Sequence, residues 1–253
     1  MTARKGASSR AAIPPATLAA LNDGSLAAAT LAESLAVDFA VLLRAALPVL
    51  PDVCIAAMHD AAAQGVTRRM ALAAALIEAE LGAGIAMALS AHRSDTVRGW
   101  AAFLIARAPG LELGARLAAL RPLADDPHFG VREWAWLALR PHVVAETAAA
   151  IRLLRPWTTE ASANLRRFAV EATRPRGVWS AHVPALRRDP EAGRVLLDPL
   201  RADPARYVQD SVANWINDAA KDHPDWARAL CDGWRKAGDA ATARICARAL
   251  RSL

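Results

Sequence analysis

The 253-residue chain is poor in the residues that build sheets: four phenylalanines and one tyrosine stand against abundant alanine, leucine and arginine. Strands favour β-branched and aromatic side chains, whereas Ala, Leu and Arg are good helix formers, so the composition points to an all-α fold. Cysteine is scarce as well. Cys54, Cys231 and Cys246 form no CxxC pair and have no histidine at ligand spacing, which argues against a zinc site or a disulfide framework. No apolar run approaches the roughly 18 to 20 residues needed to span a bilayer. The opening MTARKGASSRAA is basic and free of acids but lacks the apolar segment of a secretory signal. Residues 1–13 are therefore expected to be a disordered basic tail, and the protein to be soluble and cytoplasmic, with no membrane partner. No glycine-rich nucleotide loop, metal cluster or Ser/His/Asp arrangement is evident, so neither a metal nor another cofactor is implied.

What is present is apolar mass and unevenly placed charge. The hydrophobic share of 54% is ample for a sizeable core. The net charge of +6 arises entirely after residue 93: the first 93 residues hold seven Lys/Arg and seven Asp/Glu, the rest 24 and 18. All eight tryptophans, from Trp100 to Trp234, lie in the same later part. Basic charge interleaved with flat rings suits a nucleic-acid surface; core tryptophans and solvated arginines are the other reading.

A phrase recurs along that part: SDTVRGWAAFLIA at 94, DPHFGVREWAWLAL at 126, ASANLRRFAVEAT at 161, DPARYVQDSVANWI at 203 and DAATARICARAL at 239. Each opens on a polar cap and continues apolar at helical spacing. Aligning Val97, Val131, Leu165, Val208 and Ala243 gives steps of 34, 34, 43 and 35 residues. Helices are also expected at 111–123, 143–157, 190–203 and 225–238, one before each later phrase, with similar material upstream at 25–47 and 67–82. This is the signature of stacked helical hairpins of the HEAT type, a right-handed superhelical α-solenoid, expected to run as one repeat domain over 14–253.

In each phrase the aligned residue and those 4, 7 and 8 later share a face that must be core. The opposite face carries Glu133, Leu137 and Arg140, then Arg167, Glu171 and Arg174, then Asp210, Asn214 and Asn217 with Asp218 at its border. Second helices of HEAT pairs line the inner surface of the stack, so these residues are expected in one concave cleft. After Glu171 the chain reads TRPRGVW. Pro175 limits the helix, and a turn through Arg176 and Gly177 should present Trp179, which either packs under the turn or stacks on a base or sugar.

The phrases SDTVRGWA, HFGVREWAWLALRP, LRRFAVEATRP and SVANWINDAAKDHPD, with a weaker match at LAESLAVDFAVLL, resemble the AlkC branch of the HEAT-like DNA-alkylation-repair glycosylases over nearly the whole chain. The resemblance implies a concave basic surface that holds duplex DNA, and acids that hydrolyse the N-glycosidic bond of a cationic N-alkylated base such as 3-methyladenine, with 3-methylcytosine and 1-methyladenine as further candidates. By motif position Glu133, Glu171 and Asp218 match the family's functional carboxylates, with Glu171 and Asp218 expected as the catalytic pair. Arg167 and Trp179 match residues near the lesion. Trp136, Arg140, Arg174, Arg176, Asn214 and Lys221 complete the expected DNA-binding set. The implied partner is double-stranded DNA containing alkylated bases, met by a monomer with no obligate protein partner, in a bacterial cytoplasm or nucleoid.

Two positions depart from the pattern: Gln209, where a basic residue is usual and a phosphate contact is expected to weaken, and Trp215, where histidine is usual and packing should change. The chain ends at Leu253 without the immunoglobulin-like extension of some members, so any DNA grip such an extension provides is expected to be absent. A methylated, cationic base leaves readily, so the sugar, which becomes oxocarbenium-like, and the attacking water are what carboxylates must serve. A non-catalytic DNA-binding module and a protein-interaction scaffold are the alternatives. Acids retained in a basic groove favour the enzyme.

Overall fold

The computed structural model describes residues 4–236 and 238–253. Among these there are sixteen α-helices and six short 3-10 helices, and no strand, so the chain is all-α. The five recurrent phrases form the helices Asp95–Arg107, Phe129–Ala145, Ala163–Glu171, Arg206–Ala220 and Ala240–Ala249. Three of them are capped by the polar residue that precedes them, whereas Arg206–Ala220 has no side-chain cap at Ala205. Ser94 accepts from the amide of Val97, Ser162 from Asn164, and Asp239 from Ala241 and Thr242, which satisfies amides that helix geometry leaves unbonded.

Of the intervening segments, 111–123 and 225–238 give the helices Leu113–Ala124 and Pro224–Arg235. Segment 143–157 is shared by three elements: the end of Phe129–Ala145, the helix Thr147–Leu154 and the 3-10 turn Arg155–Thr159. Segment 190–203 is not one helix. It is broken into Pro190–Gly193, Arg194–Leu197 and Asp198–Leu200, and Pro199, inside the segment, lacks the amide hydrogen that a continuous helix uses. Upstream, 25–47 is likewise interrupted at Val37 and Asp38, between Leu31–Ala36 and Phe39–Ala46.

The chain divides into two compact units. One runs through Leu111 and includes Asp126–Ala138; the other comprises Glu112–Asp125 and Leu139–Leu253. The first packs Leu42, Leu43, Met70, Ile77, Trp100 and Leu104 out of solvent, with Phe39 edge-on to Trp100 at 5.9 Å between centroids. Gly99 permits this density: a Cβ there would lie 2.5 Å from both Met70 and Trp134. The second unit buries Val208, Val212, Trp215 and Ile216, the face assigned to core by spacing, together with Phe168, whose ring lies 5.1 Å from that of Trp157. Each such fully buried side chain stabilises by about 1.5–3 kcal/mol.

A second regularity lies one residue after each aligned position. In the first unit Arg98 pairs in two-pronged fashion with Asp126, at 3.0 and 3.4 Å, and donates to the carbonyls of His92 and Arg93. Arg132 donates to the carbonyls of Asp126 and Pro127. In the second unit Arg166 pairs with Asp203, at 2.6 and 3.1 Å, and donates to the carbonyls of Glu160 and Ala161. These arginines clamp the turn before their own helix, and Arg98 and Arg166 also tie it to an acid further along the chain. Gln209 occupies the same position. Its Nε2 donates to the carbonyl of Asp203 at 2.7 Å and its Oε1 accepts from Arg244, so the side chain at this departure from the family pattern is a buried clamp.

The opening stretch also differs from expectation. Residues 1–3 lie outside the described residues, but from Arg4 on the chain is held in place. The Arg4 guanidinium grips Glu33, at 2.9 and 2.5 Å, and the amides of Ala7 and Ala29 donate to the same carboxylate. Glu33 is wholly buried, and Arg4 chiefly, with those amides, draws it from the ordinary 4.5 to about 2 against the cost of burial. An acid buried 29 residues away in sequence is thus what orders a segment whose own composition reads as a loose arm.

A two-carboxylate site in the second unit

The helix Ala163–Glu171 ends where the sequence predicts. The amides of Thr173 and Arg174 turn back to Val170 and Glu171, and the chain then closes a loop in which Val183 donates to the Pro175 carbonyl at 3.0 Å. Gly177 is required inside this loop, since a Cβ would come within 2.6 Å of the Ser180 carbonyl oxygen. Arg140 braces it from within. Its guanidinium donates to the carbonyls of Ala172, Arg174 and Ala181 at 3.0, 2.5 and 3.0 Å, capping carbonyls that the end of the helix leaves open. Burial, reinforced by the neighbouring charge of Arg174, pushes Arg140 down to about 10, while Asp218 and Glu171 oppose the shift.

Arg174 is the hinge of the charge arrangement. It approaches Glu171 Oε2 with Nη1 at 3.3 Å and Asp218 Oδ2 with both Nε and Nη2 at 2.8 Å. One guanidinium therefore holds two carboxylates from two helices, Ala163–Glu171 and Arg206–Ala220. Burial works against its charge, but Glu171 and Asp218 outweigh that and hold Arg174 above its ordinary value. Further cations stand back: Arg167 Nη2 is 3.6 Å from Glu171 Oε1, and Lys221 Nζ is 3.6 Å from Asp218 Oδ1. The remaining strong contact is neutral. Ser211 Oγ donates to Glu171 Oε1 at 2.6 Å inside the protein. Glu171 and Asp218 are only 3% and 4% exposed, so they present an edge to the surface rather than a whole carboxylate.

The expected residues divide by environment. Glu171, Asp218, Arg167, Arg174 and Lys221 meet in the second unit as described. Arg140 is 1% exposed and directs its hydrogen bonds to backbone carbonyls, so its assignment to a DNA phosphate is corrected: it positions the Glu171–Arg174 turn. Arg176 bonds Asp222 at 2.6 Å. Asp222 is drawn to about 2, first by its bond to Arg187 and then by Arg176, against the cost of burial. Asn214 accepts from Arg251 at 3.0 Å. Trp179, on the loop, is 40% exposed. Glu133 and Trp136 belong to the first unit, where the indole N–H of Trp136 donates to Glu133 Oε2 at 2.9 Å from a largely buried ring.

Trp215, the other departure, is buried, and its N–H reaches the Thr173 carbonyl at 3.1 Å, tying the core of its helix to the turn after Glu171. Sequence reasoning missed two residues here. Ser211 was passed over in the motif SVANWIND, one helical turn before Trp215, although a serine on an otherwise apolar stripe signals a buried acceptor. Tyr207, the chain's single tyrosine, lies under Arg167, whose guanidinium carbon sits 4.3 Å from the ring centroid.

No protein-family model matches the chain. It is 37% identical over 97 residues to the uncharacterized protein YhaZ of Bacillus subtilis (strain 168), a match covering 38% of this chain and 27% of YhaZ. Among solved structures it resembles the Pseudomonas fluorescens alkylpurine DNA glycosylase AlkC bound to DNA containing an abasic site analog. The TM-score is 0.63 at 24% identity, over 84% of this chain and 60% of AlkC. It resembles smu.31 from Streptococcus mutans UA159 with a TM-score of 0.62 at 19% identity, over 79% of this chain and 97% of that one. The chain thus spans less than two thirds of both YhaZ and AlkC. Sixteen helices, the clamped turns and the superposition lead to one structural conclusion: the chain has an AlkC-type helical fold.

Proposed function

We propose that the chain is a DNA glycosylase that hydrolyses the N-glycosidic bond of cationic N-alkylated bases in duplex DNA, initiating base excision repair. The observation that carries this reading is the shared guanidinium of Arg174, which holds Glu171 and Asp218 side by side although a purely phosphate-binding surface would do better without either acid. The AlkC-type fold supports it, since the similar structure of AlkC is bound to DNA containing an abasic site analog.

In this reading, backbone phosphates compete for Arg167, Arg174 and Lys221. Each cation drawn to a phosphate leaves negative charge on Glu171 and Asp218 facing the deoxyribose. The alkylated base is already a good leaving group, so no acid needs to protonate it. The carboxylates stabilise the oxocarbenium-like sugar and orient the water that captures it. Ser211 fixes Glu171 meanwhile. Substrates are 3-methyladenine first, then 3-methylcytosine and 1-methyladenine, whose bases share the ring charge. Trp179 lies on the loop that contacts the lesion or its sugar, Glu133 supports the catalytic pair, and Trp136 contacts the DNA. The whole of 14–253 acts as one repeat domain, in a cytoplasmic monomer.

The test is release of free base from methylated duplex DNA by wild type, Glu171→Gln and Asp218→Asn, with DNA binding recorded in parallel. Release of 3-methyladenine that falls by orders of magnitude in either variant while binding persists is the expected result. A folded wild type that binds DNA and releases nothing replaces the enzyme with a binding module, and absence of binding as well replaces it with a protein scaffold.

A further inference from the structure

In the first unit, away from these carboxylates, lies a small cationic cavity of about 130 Å³, walled by Arg10, Asp38, Phe39, Met58 and Arg69 among others. Arg10 comes from the basic opening stretch, the part of the sequence that the proposed activity does not use. Arg69 comes from the helix Val66–Leu81, and its guanidinium carbon lies 4.6 Å from the centroid of the Phe39 ring. Its Nε is buried and has no hydrogen-bond partner.

Three other arginines of the chain are treated differently. Arg98, Arg166 and Arg174 each meet a carboxylate within 3.0 Å. Arg10 and Arg69 face one cavity instead, and among the described residues neither has an ion-pair partner. The one acid in the wall is already engaged: Asp38 Oδ1 accepts from the amides of Ala40 and Val41, capping the helix Phe39–Ala46. Burial pushes Arg69 below its ordinary value; Asp38 opposes the shift and the charge of Arg10 adds to it. Two guanidiniums around one space, one of them with a donor left unmet, are stabilised by an anion with several acceptor oxygens, and guanidinium is the side chain best matched to a tetrahedral oxyanion. With a water taking about 30 Å³ of liquid volume, the cavity accommodates one such group and excludes a nucleoside.

We propose that this cavity binds a single phosphate group through Arg10 and Arg69, either as free inorganic phosphate or as the terminal phosphate of a nucleic-acid strand. The inference stands independently of the repair reading, since it uses neither Glu171 nor Asp218.

The experiment titrates the full chain with inorganic phosphate, with a 5′-phosphorylated trinucleotide and with the same trinucleotide lacking the phosphate, following the Arg69 Nε–H resonance and the heat of binding. Saturable binding of a phosphate-bearing probe is expected to move that resonance, and Arg10→Gln and Arg69→Gln each to weaken it by about tenfold, as for loss of one charge-assisted contact. Tighter binding of the phosphorylated trinucleotide than of the free ion assigns the site to a strand end. The reverse order assigns it to the free ion. Arg10 is exposed, so Arg10→Gln decides the question even if Arg69→Gln impairs folding. No saturation by either phosphate-bearing probe, or unchanged affinity in Arg10→Gln, overturns the proposal.

Discussion

The chain joins arginine to acid in two different ways. In the clamps, Arg98 with Asp126 in the first unit and Arg166 with Asp203 in the second, one guanidinium meets one carboxylate through two hydrogen bonds and places a remaining N–H on two turn carbonyls. Charges match and donors are filled, which is how a stable fold treats ions removed from water. Around Arg174 the ratio is broken: two carboxylates share one guanidinium, and the extra cations stand 3.6 Å away. What recurs from repeat to repeat maintains the stack. Arg194 also meets two acids, Glu191 and Asp198, but out in solvent; at Arg174 both acids are buried, and that is where chemistry belongs. This contrast separates residues of the same type on neighbouring turns, Arg166 from Arg174 and Asp203 from Asp218.

The strongest way to break the comparison is to remove one acid of each kind. Glu171→Gln is expected to lower base release by roughly 10²–10⁴-fold, the range of a positioned acid or base, with little change in melting temperature. Asp203→Asn is expected to do the opposite. It leaves the part-buried Arg166 without its partner, at a cost of roughly 2 kcal/mol or about 4–8 °C in Tm, while activity per folded molecule at low temperature is retained. Thermal melts beside single-turnover assays read both. Equal losses of stability in the two variants would mean that the Arg174 cluster is one more clamp.

Glu33 sharpens the same contrast in the first unit. It is as buried as Glu171 but fully matched, by Arg4 and two amides, and its folded value near 2 lies below the ordinary 4.5. The depressed value means that its stabilisation is complete above about pH 4.5 and fades as pH falls toward 2, because the unfolded chain takes up the proton first. Arg4→Gln removes the largest cause of the shift. Since Arg4 is partly exposed, the expected loss at neutral pH is on the order of 1–2 kcal/mol, and the variant should unfold at a higher pH than wild type when both are acidified. Urea titrations at pH 3, 5 and 7 measure it, and parallel curves for the two proteins would remove Arg4 from the account.

Ser211 tests whether the two-carboxylate site is positioned as well as charged. Ser211→Ala deletes the shortest hydrogen bond to Glu171 without adding charge. The expected result is a fall in kcat of about tenfold with KM for DNA unchanged, as when an interaction that fixes a reacting group is lost. Ser211→Thr, which retains the hydroxyl, should recover part of the loss. A change in KM alone would place the serine in DNA binding.

Much of this was legible in the sequence because the signals were local. Polar caps and apolar spacing located the five recurrent helices, and helical geometry put Glu171 one turn from Arg167 and Arg174. Asp218 was found by the same face, although its bond to Arg174 crosses 44 residues. What was not legible depended on distant partners. Nothing near Arg140 in sequence reveals the three carbonyls that bury it, and nothing near Arg4 reveals Glu33. Segment 190–203 carries its own warning in Pro199, which lies inside an otherwise apolar helical pattern.

The smallest effect concerns Gln209, where comparison of the clamps gives a sign that family resemblance would reverse. An arginine there would match Arg98, Arg132 and Arg166 and still reach the Asp203 carbonyl. It would also lose the acceptor that Gln209 offers to Arg244, and set two guanidiniums against each other where one amide now bridges. Asp210 does not compensate, since it already pairs with Arg244 and Arg248. Gln209→Arg should therefore destabilise slightly, by about 0.5–1 kcal/mol, the scale of one neutral hydrogen bond, and leave DNA affinity unchanged because the position is buried. A gain in DNA affinity would return the position to phosphate binding. A gain in stability would show that the clamp tolerates unmatched charge, and the distinction between Arg166 and Arg174 would then have to rest on activity alone.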